Sequence, residues 1–245
     1  MTAPRTKVVG HSVDKIDGYA LATGRARFVA DDLPRNVLYA AVLGSAYAHA
    51  NITAIDTSRA EALPGVQAVL TWEDLPRIAH TTAGQGYPEP SPYDTFVLDR
   101  KVRFFGDRVA AIAAETPEIA KQAKSLIDVE YEVLEPILEV RDAFEKGAPV
   151  IHDEPEAHAA IPVVYEPSRN LAAEVETEVG DVEAALSTAA YRLDAEYETH
   201  YAQHCPIEPH VCLTYFDEFD RLVIRTSTQV PFHVRRIVAQ ALGLP

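Results

Sequence analysis

Residues 210–242 allow few folds. His210 to Phe216 is rich in β-formers and alternates weakly. Asp217-Glu218-Phe219-Asp220 is a charged turn, and Arg221 to Thr226 is a second strand around the apolar run Leu222-Val223-Ile224. Ser227-Thr228-Gln229 follows, and Pro231 to Leu242 reads as a helix with proline near its start and Gly243 at its end. The unit is strand, turn, strand, helix. An amide side chain at the end of a buried strand, just before a helix, stands where α/β folds gather ligand contacts. Gln229 is therefore the candidate binding residue. The competing role is a cap for the helix that follows.

The preceding residues carry most of the reactive side chains. Residues 199–229 hold both cysteines, Cys205 and Cys212, and three histidines, His200, His204 and His210, around the string His204-Cys205-Pro206-Ile207-Glu208-Pro209. These are zinc-type ligands, but their spacing fits no standard finger. On a strand His210 and Cys212 share a face while His204 and Cys205 point oppositely. Ordinary strand and turn roles fit better than a metal site. Glu208, between apolar and proline residues, reads as a turn residue, with general-base chemistry as the sharper alternative.

Upstream, strands and helices interleave. Strands are predicted over Arg25 to Ala30, Val37 to Gly44, Ile52 to Asp56, Val66 to Thr71, Val109 to Ala114 and Ile127 to Val133. Helices are predicted over Thr57 to Leu63, ended by Pro64-Gly65, and over Pro117 to Ser125, with Thr116 as N-cap. The reading continues with a short helix over Val140 to Lys146, a strand over Glu174 to Val179, a helix over Val182 to Ala190 and a strand over Tyr191 to Thr199. Pro76 to Asp94 is a long Pro- and Gly-containing loop, and Ile151 to Asn170 reads as a linker crossing the surface. The fold class is α+β.

Charge and motif content narrow the function. The net charge of −15 repels phosphate backbones and anionic lipid, so neither nucleic acid nor membrane is an expected partner. No apolar run approaches the roughly 18 residues of a spanning helix, and no secretory leader is read, so the expected location is cytoplasmic. No G-x-G-x-x-G, Walker or G-x-S-x-G string occurs.

A longer pattern runs through the chain. Gly24-Arg25-Ala26-Arg27-Phe28 with Asp31, then Ser45, Ala48-His49-Ala50, Ile55-Asp56 and Pro64-Gly65-Val66 occur in order. Phe105-Gly106, Ala114-Glu115-Thr116 and Val129-Glu130-Tyr131 follow, then Gly180-Asp181-Val182, His204-Cys205-Pro206-Ile207-Glu208-Pro209 and Ser227-Thr228-Gln229-Val230-Pro231. No single string is specific, but their order resembles the N-terminal part of the molybdenum-binding subunit of the xanthine dehydrogenase/aldehyde oxidase family. Asp107-Arg108 stands where the family commonly has Glu-Pro, and Ile207 where Met or Leu is usual.

That resemblance implies an a/b hammerhead domain over residues 14–140, a linker over 141–173 and the start of a molybdopterin-binding domain over 174–245. It implies a molybdenum hydroxylase that oxidises an aldehyde, N-heterocycle or similar small molecule with water as oxygen source. It implies the molybdenum cofactor, shared with a missing part or partner chain, and 2Fe-2S and FAD groups on iron-sulfur and FAD subunits. Gln229 matches the family's molybdenum-facing glutamine. The family's glycine-rich segment and its catalytic glutamate find no match, so the isolated chain is expected to be inactive. The alternatives are a non-catalytic split subunit that scaffolds partner chains, and an unrelated α/β binding protein.

Overall fold

The computed structural model describes residues 6–82 and 91–244. Gly84, Gly86, Pro88 and Pro90 of the long loop lie outside the described residues, as do residues 2–5 of the N-terminal arm. The chain forms two compact units. One comprises residues 36–199 with 230–245, and the other residues 1–35 with 200–229.

The larger unit carries two three-stranded antiparallel sheets. In the first, β5 (Arg108–Ala114) is flanked by β1 (Tyr39–Gly44) and β3 (Val66–Leu70). In the second, β2 (Ala50–Asp56) is flanked by β4 (Lys101–Val102) and β6 (Asp128–Val133). Register pairs Leu43 with Ala110, Val69 with Ile112, and Ile52 with Tyr131. One buried cluster gathers Ala60, Ala110, Ile112, Ala123 and Ile127, and a second gathers Ala50, Ile52, Val102 and Val109. Leu43, Ile55 and Val129 pack on both clusters and join the sheets into one core.

Helix α3 (Pro117–Lys124) lies on this core because its inner face is small: Ala120 and Ala123 are its buried residues. Its ends follow the capping rules. Thr116 Oγ1 accepts from Ile119 N at 3.2 Å, Pro117 opens the first turn, and Lys121 and Lys124 occupy the last. The short helix α2 (Ser58–Glu61) precedes Gly65, whose φ is +90° and whose absent Cβ leaves room for Ile119 Cδ1, 2.7 Å from where that carbon would stand.

The stretch expected as a linker is held firmly to this unit. Arg103 is 8% exposed and bonds both Asp99 and Glu154, themselves 6% and 4% exposed. Its Nη2–Asp99 Oδ2 distance is 2.9 Å and its Nε–Glu154 Oε1 distance 2.7 Å. Arg77 closes on Asp99 and Glu156 and lies over the Phe96 ring, while Lys101 pairs with Asp153 at 2.7 Å. His158 pairs with Tyr93 through backbone bonds of 2.8 and 3.3 Å and stacks on its ring. Asn170, at φ +54°, accepts from Ile151 N and donates to the carbonyls of Ala143 and Pro149. Composition reads this stretch as linker because Pro, His and acidic residues look solvated; only three dimensions reveal their arginine and lysine partners.

The other departures have local causes. After the short helix α1 (Gly18–Ala22), Arg25 to Ala30, expected as a strand, contains no strand; a 3-10 turn covers Val29–Asp32, and Asp31 Oδ2 accepts from Phe28 N, the competition that short acidic side chains offer a ladder. Val140 to Lys146 shortens to a 3-10 turn at Arg141–Phe144. A small hairpin of β7 (Val164–Glu166) and β8 (Leu171–Glu174) replaces the strand expected over Glu174 to Val179. Helix α4 (Val182–Thr188) forms with Asp181 as its cap. Tyr191 to Thr199, expected as a strand, joins no sheet. Among the described residues no helix is long and apolar enough to cross a membrane.

Candidate functional site: the β9–β10 ribbon and Gln229

The smaller unit is built on a two-stranded ribbon. β9 (Cys212–Phe216) pairs with β10 (Leu222–Thr226) in register Leu222↔Phe216 through Thr226↔Cys212. The turn between them is stabilised by one residue. Asp217 Oδ1 accepts from the backbone N of Phe219 and Arg221 at 2.9 and 3.0 Å, and Oδ2 from Arg221 Nε at 2.8 Å. The Arg221 guanidinium holds the Asp217 carboxyl below the usual carboxylate range. Asp220 takes the left-handed position, φ +59°.

The ribbon brings two separate sequence strings together. Ser227 N donates to Val211 O at 3.0 Å, and Val211 N donates back to Ser227 Oγ at 3.1 Å. The Ser227 hydroxyl also reaches Pro209 O at 3.4 Å. Thus Pro209, the end of the His204–Pro209 string, and Val211 lie beside Ser227, the start of the Ser227–Gln229 string. Ser227 is the clamp, a role its sequence position did not disclose.

A second tie binds the N-terminal arm to the ribbon. Asp32 bonds Arg27 and accepts from Arg225 Nη2 on β10 at 2.7 Å. The Arg225 hydrogen bond lowers the Asp32 pKa. Arg27 lies within the Gly24–Asp31 pattern and Asp32 directly follows it, and Arg225 lies 193 positions from Asp32. A charge-complementary pair at that separation carries no signal in a single sequence.

Gln229 stands directly after this clamp. It occupies a bend, it is exposed, and it is the last residue of the smaller unit. The cap role that competes for it belongs elsewhere: the N-cap of α5 (Pro231–Leu242) is Val230. Helix α5 closes as expected, with Gly243 at φ +64°, and with Leu244 N donating to Ala239 O at 2.8 Å and Gly243 N to Gln240 O at 3.1 Å. A neutral carboxamide presented this way can donate and accept toward a bound group without changing its charge. The residue type and its exposure suit a cofactor contact.

The remaining candidates are not gathered. His200, His204 and His210 are exposed, as are the free thiols Cys205 and Cys212. Among the described residues no three His, Cys, Asp or Glu side chains converge to hold a metal ion. Glu208 is half-buried in a bend. Cys205 is unusual in its backbone, at φ +45° immediately before Pro206, where extended conformations are the rule. Held strain of this kind clusters at functional segments, and no propensity reading of the sequence reveals it.

The comparisons with known proteins agree with this architecture. Residues 23–135 match the family model "Aldehyde oxidase and xanthine dehydrogenase, a/b hammerhead domain", and residues 164–245 match "Molybdopterin cofactor-binding domain". The chain is 40% identical over 261 aligned positions to the probable hypoxanthine oxidase XdhD of Escherichia coli K12, covering 97% of this chain and 27% of that protein. It is 33% identical to the nicotinate dehydrogenase large molybdopterin subunit of Eubacterium barkeri, covering 98% of this chain and 52% of that one. Quinoline 2-oxidoreductase from Pseudomonas putida 86 superposes with a TM-score of 0.73 at 28% identity, over 96% of this chain and 29% of that one. Aldehyde oxidoreductase from Desulfovibrio gigas superposes at 0.72 and 26% identity, over 94% and 25%. The fold is the α+β architecture of molybdenum-binding subunits. The chain belongs to the xanthine dehydrogenase/aldehyde oxidase family and spans about a quarter to a half of the length of these relatives.

Proposed function

We propose that this chain supplies the hammerhead domain (14–140), a connection (141–173) and the start of the molybdopterin-binding domain (174–245) of a molybdenum hydroxylase, with Gln229 facing the cofactor. The molybdenum cofactor, when bound, supplies the two-electron oxidation of a small substrate with water as oxygen source. The substrate class is an aldehyde or electron-poor N-heterocycle, in keeping with the names of the relatives. Iron-sulfur and FAD groups on partner subunits would carry the electrons away, and the remaining molybdenum-subunit polypeptide would complete the cleft. The protein would work in the cytoplasm.

One observation carries the role of Gln229: its exposed amide sits between the Ser227 clamp and the Val230 cap, in a position that no turn or helix end uses. The Ser227 clamp fixes the backbone of the smaller unit two residues before the amide. A donor held in place in the complete cleft would act on developing charge without rearranging. In the complete enzyme, Gln229→Ala lowers kcat about a hundredfold, the loss that follows removal of one such donor, with the melting temperature unchanged. Unchanged turnover with a lowered melting temperature would make Gln229 structural. The 245-residue chain alone, grown with molybdate, is expected to purify without stoichiometric molybdenum; metal analysis checks this.

A further inference from the structure

Two clefts of the larger unit meet at Asp94, Ile151 and His152, and they differ in how their charges are spent. The first, of about 180 Å³, is lined by Asp99, Arg103, Asp107 and Arg108, all engaged. Arg103 donates to Asp99, Asp107 accepts from the backbone N of Arg103 and Arg108, and Arg108 Nη2 donates to Phe96 O. The second, of about 160 Å³, has apolar walls from Ile151, Pro167, Leu171 and Ala172 and holds two unspent polar groups. One is the Tyr165 hydroxyl, whose oxygen is buried and has no hydrogen-bond partner among the described residues. The other is the Asp94 carboxylate. Its side chain is 19% exposed, and among the described residues it forms no ion pair with Lys or Arg. Thr95 Oγ1 donates to its Oδ1 at 3.3 Å, and His152 Nε2 stands 3.9 Å from its Oδ2. Burial lowers the His152 pKa, so the ring is neutral at neutral pH and leaves the carboxylate charge unbalanced. Burial and then the Asp94 charge raise the Tyr165 pKa, which puts the hydroxyl within the field of that carboxylate.

We propose that this cleft binds a small aromatic ammonium ion, a single ring bearing a protonated primary amine, whose N–H groups bond the Asp94 carboxylate and the Tyr165 oxygen while the ring lies against Ile151 and Leu171. An enclosed carboxylate beside apolar walls is costly until a cation offsets it. The size suits one ring, since an apolar cavity of about 150 Å³ takes up benzene. The walls are held in place beforehand. Asn170 spends its side chain on Ile151 N and on the carbonyls of Ala143 and Pro149, and the paired strands β7 and β8 carry Tyr165 and Leu171. Other ligands fit less well. An anion meets the Asp94 charge, and a neutral ring leaves that charge unpaired. A metal ion leaves the apolar walls bare, and among the described residues no three ligating side chains converge to hold one. The site asks nothing of molybdenum, so it is independent of the cofactor reading and of Gln229.

The test is titration calorimetry on the complete enzyme with benzylamine as probe, buffered above the ordinary histidine value of about 6.5. Benzyl alcohol and benzoate serve as its neutral and anionic counterparts. Benzylammonium is expected to bind about tenfold more tightly than benzyl alcohol, the effect of one hydrogen bond to a charged group, and benzoate not at all. Asp94→Asn removes the preference for the amine, and Ala172→Phe fills the cleft and abolishes binding of amine and alcohol alike. Gln229→Ala leaves both affinities unchanged, which separates this cleft from the cofactor site. A crystal of the complete parent enzyme soaked with para-bromobenzylamine shows bromine between Ile151 and Leu171, and this arm decides the matter even where a variant fails to fold. No binding of benzylamine at millimolar concentration, equal affinity for amine and alcohol, an Asp94→Asn enzyme that binds as the parent does, or bromine elsewhere in the molecule overturns the proposal.

Discussion

Two regions of the larger unit carry strand-forming sequence, one a continuous apolar run and one alternating, and end differently. In β5, Val109, Ala110, Ile112 and Ala114 are buried because β1 and β3 pair on both edges and α3 and the second sheet cover both faces. In residues 191–199, side chains at least as apolar stand in solvent. Alternation specifies which side of a strand is greasy; it does not provide the neighbouring strand. Burial follows from the partner, and an alternating segment without one keeps its hydrophobic side open and its main chain unpaired.

That contrast can be broken from the core outward. The largest loss is expected at Arg103. Arg103→Ala leaves Glu154 as an uncompensated buried carboxylate and Asp99 with Arg77 alone, and removing one member of a buried charge cluster costs about 3–5 kcal/mol. Urea unfolding measures it; a loss below about 1 kcal/mol would mean that the strap around residue 154 contributes nothing to the unit. Ile112→Ala, at a site 1% exposed, is expected to cost about 2–5 kcal/mol through lost burial and the cavity left behind. Thr116→Ala removes the α3 cap for about 1 kcal/mol, read in the same titration.

A smaller effect follows pH. Burial lowers the pKa of His152, with Arg103 and Lys101 adding to the shift and Asp94 and Asp153 opposing it. Its Nδ1 is 3.5 Å from Glu154 Oε2. The unfolded chain takes up the proton first, so the stability held above the ordinary histidine value of about 6.5 is lost as pH falls from there through the lower folded pKa. His152→Gln should flatten this part of the urea midpoint-pH curve relative to the parent; an unchanged slope would assign it to other groups. The smallest effect closes the contrast: Leu193→Ala in the isolated chain is expected to shift stability by no more than about 0.5 kcal/mol, as surface changes do. A loss of 2 kcal/mol would show that residues 191–199 are packed after all.

Much of this was legible in the sequence because it is local. The β9–β10 ribbon, the turn at Asp217, the caps Thr116 and Asp181, and the run from Pro231 to Gly243 are each fixed by residues within a few positions. The ordered strings from Gly24 to Pro231 carried the family. The binding role of Gln229 was read from the same local logic, strand end before helix start, and it is a proposal that the Gln229→Ala kinetics decide.

What the tertiary structure decided is non-local. Arg225 meeting Asp32, Ser227 meeting Val211, and Arg103 meeting Glu154 join residues that are 193, 16 and 51 positions apart. Each looks like an ordinary solvated side chain until the backbone closes the distance. Sequence by itself determined where strands and helices can form, because propensity, capping and alternation act over a few residues. Only the fold decided which of them are paired, clamped or left open, because hydrogen bonds, ion pairs and burial depend on neighbours that the chain brings from far away.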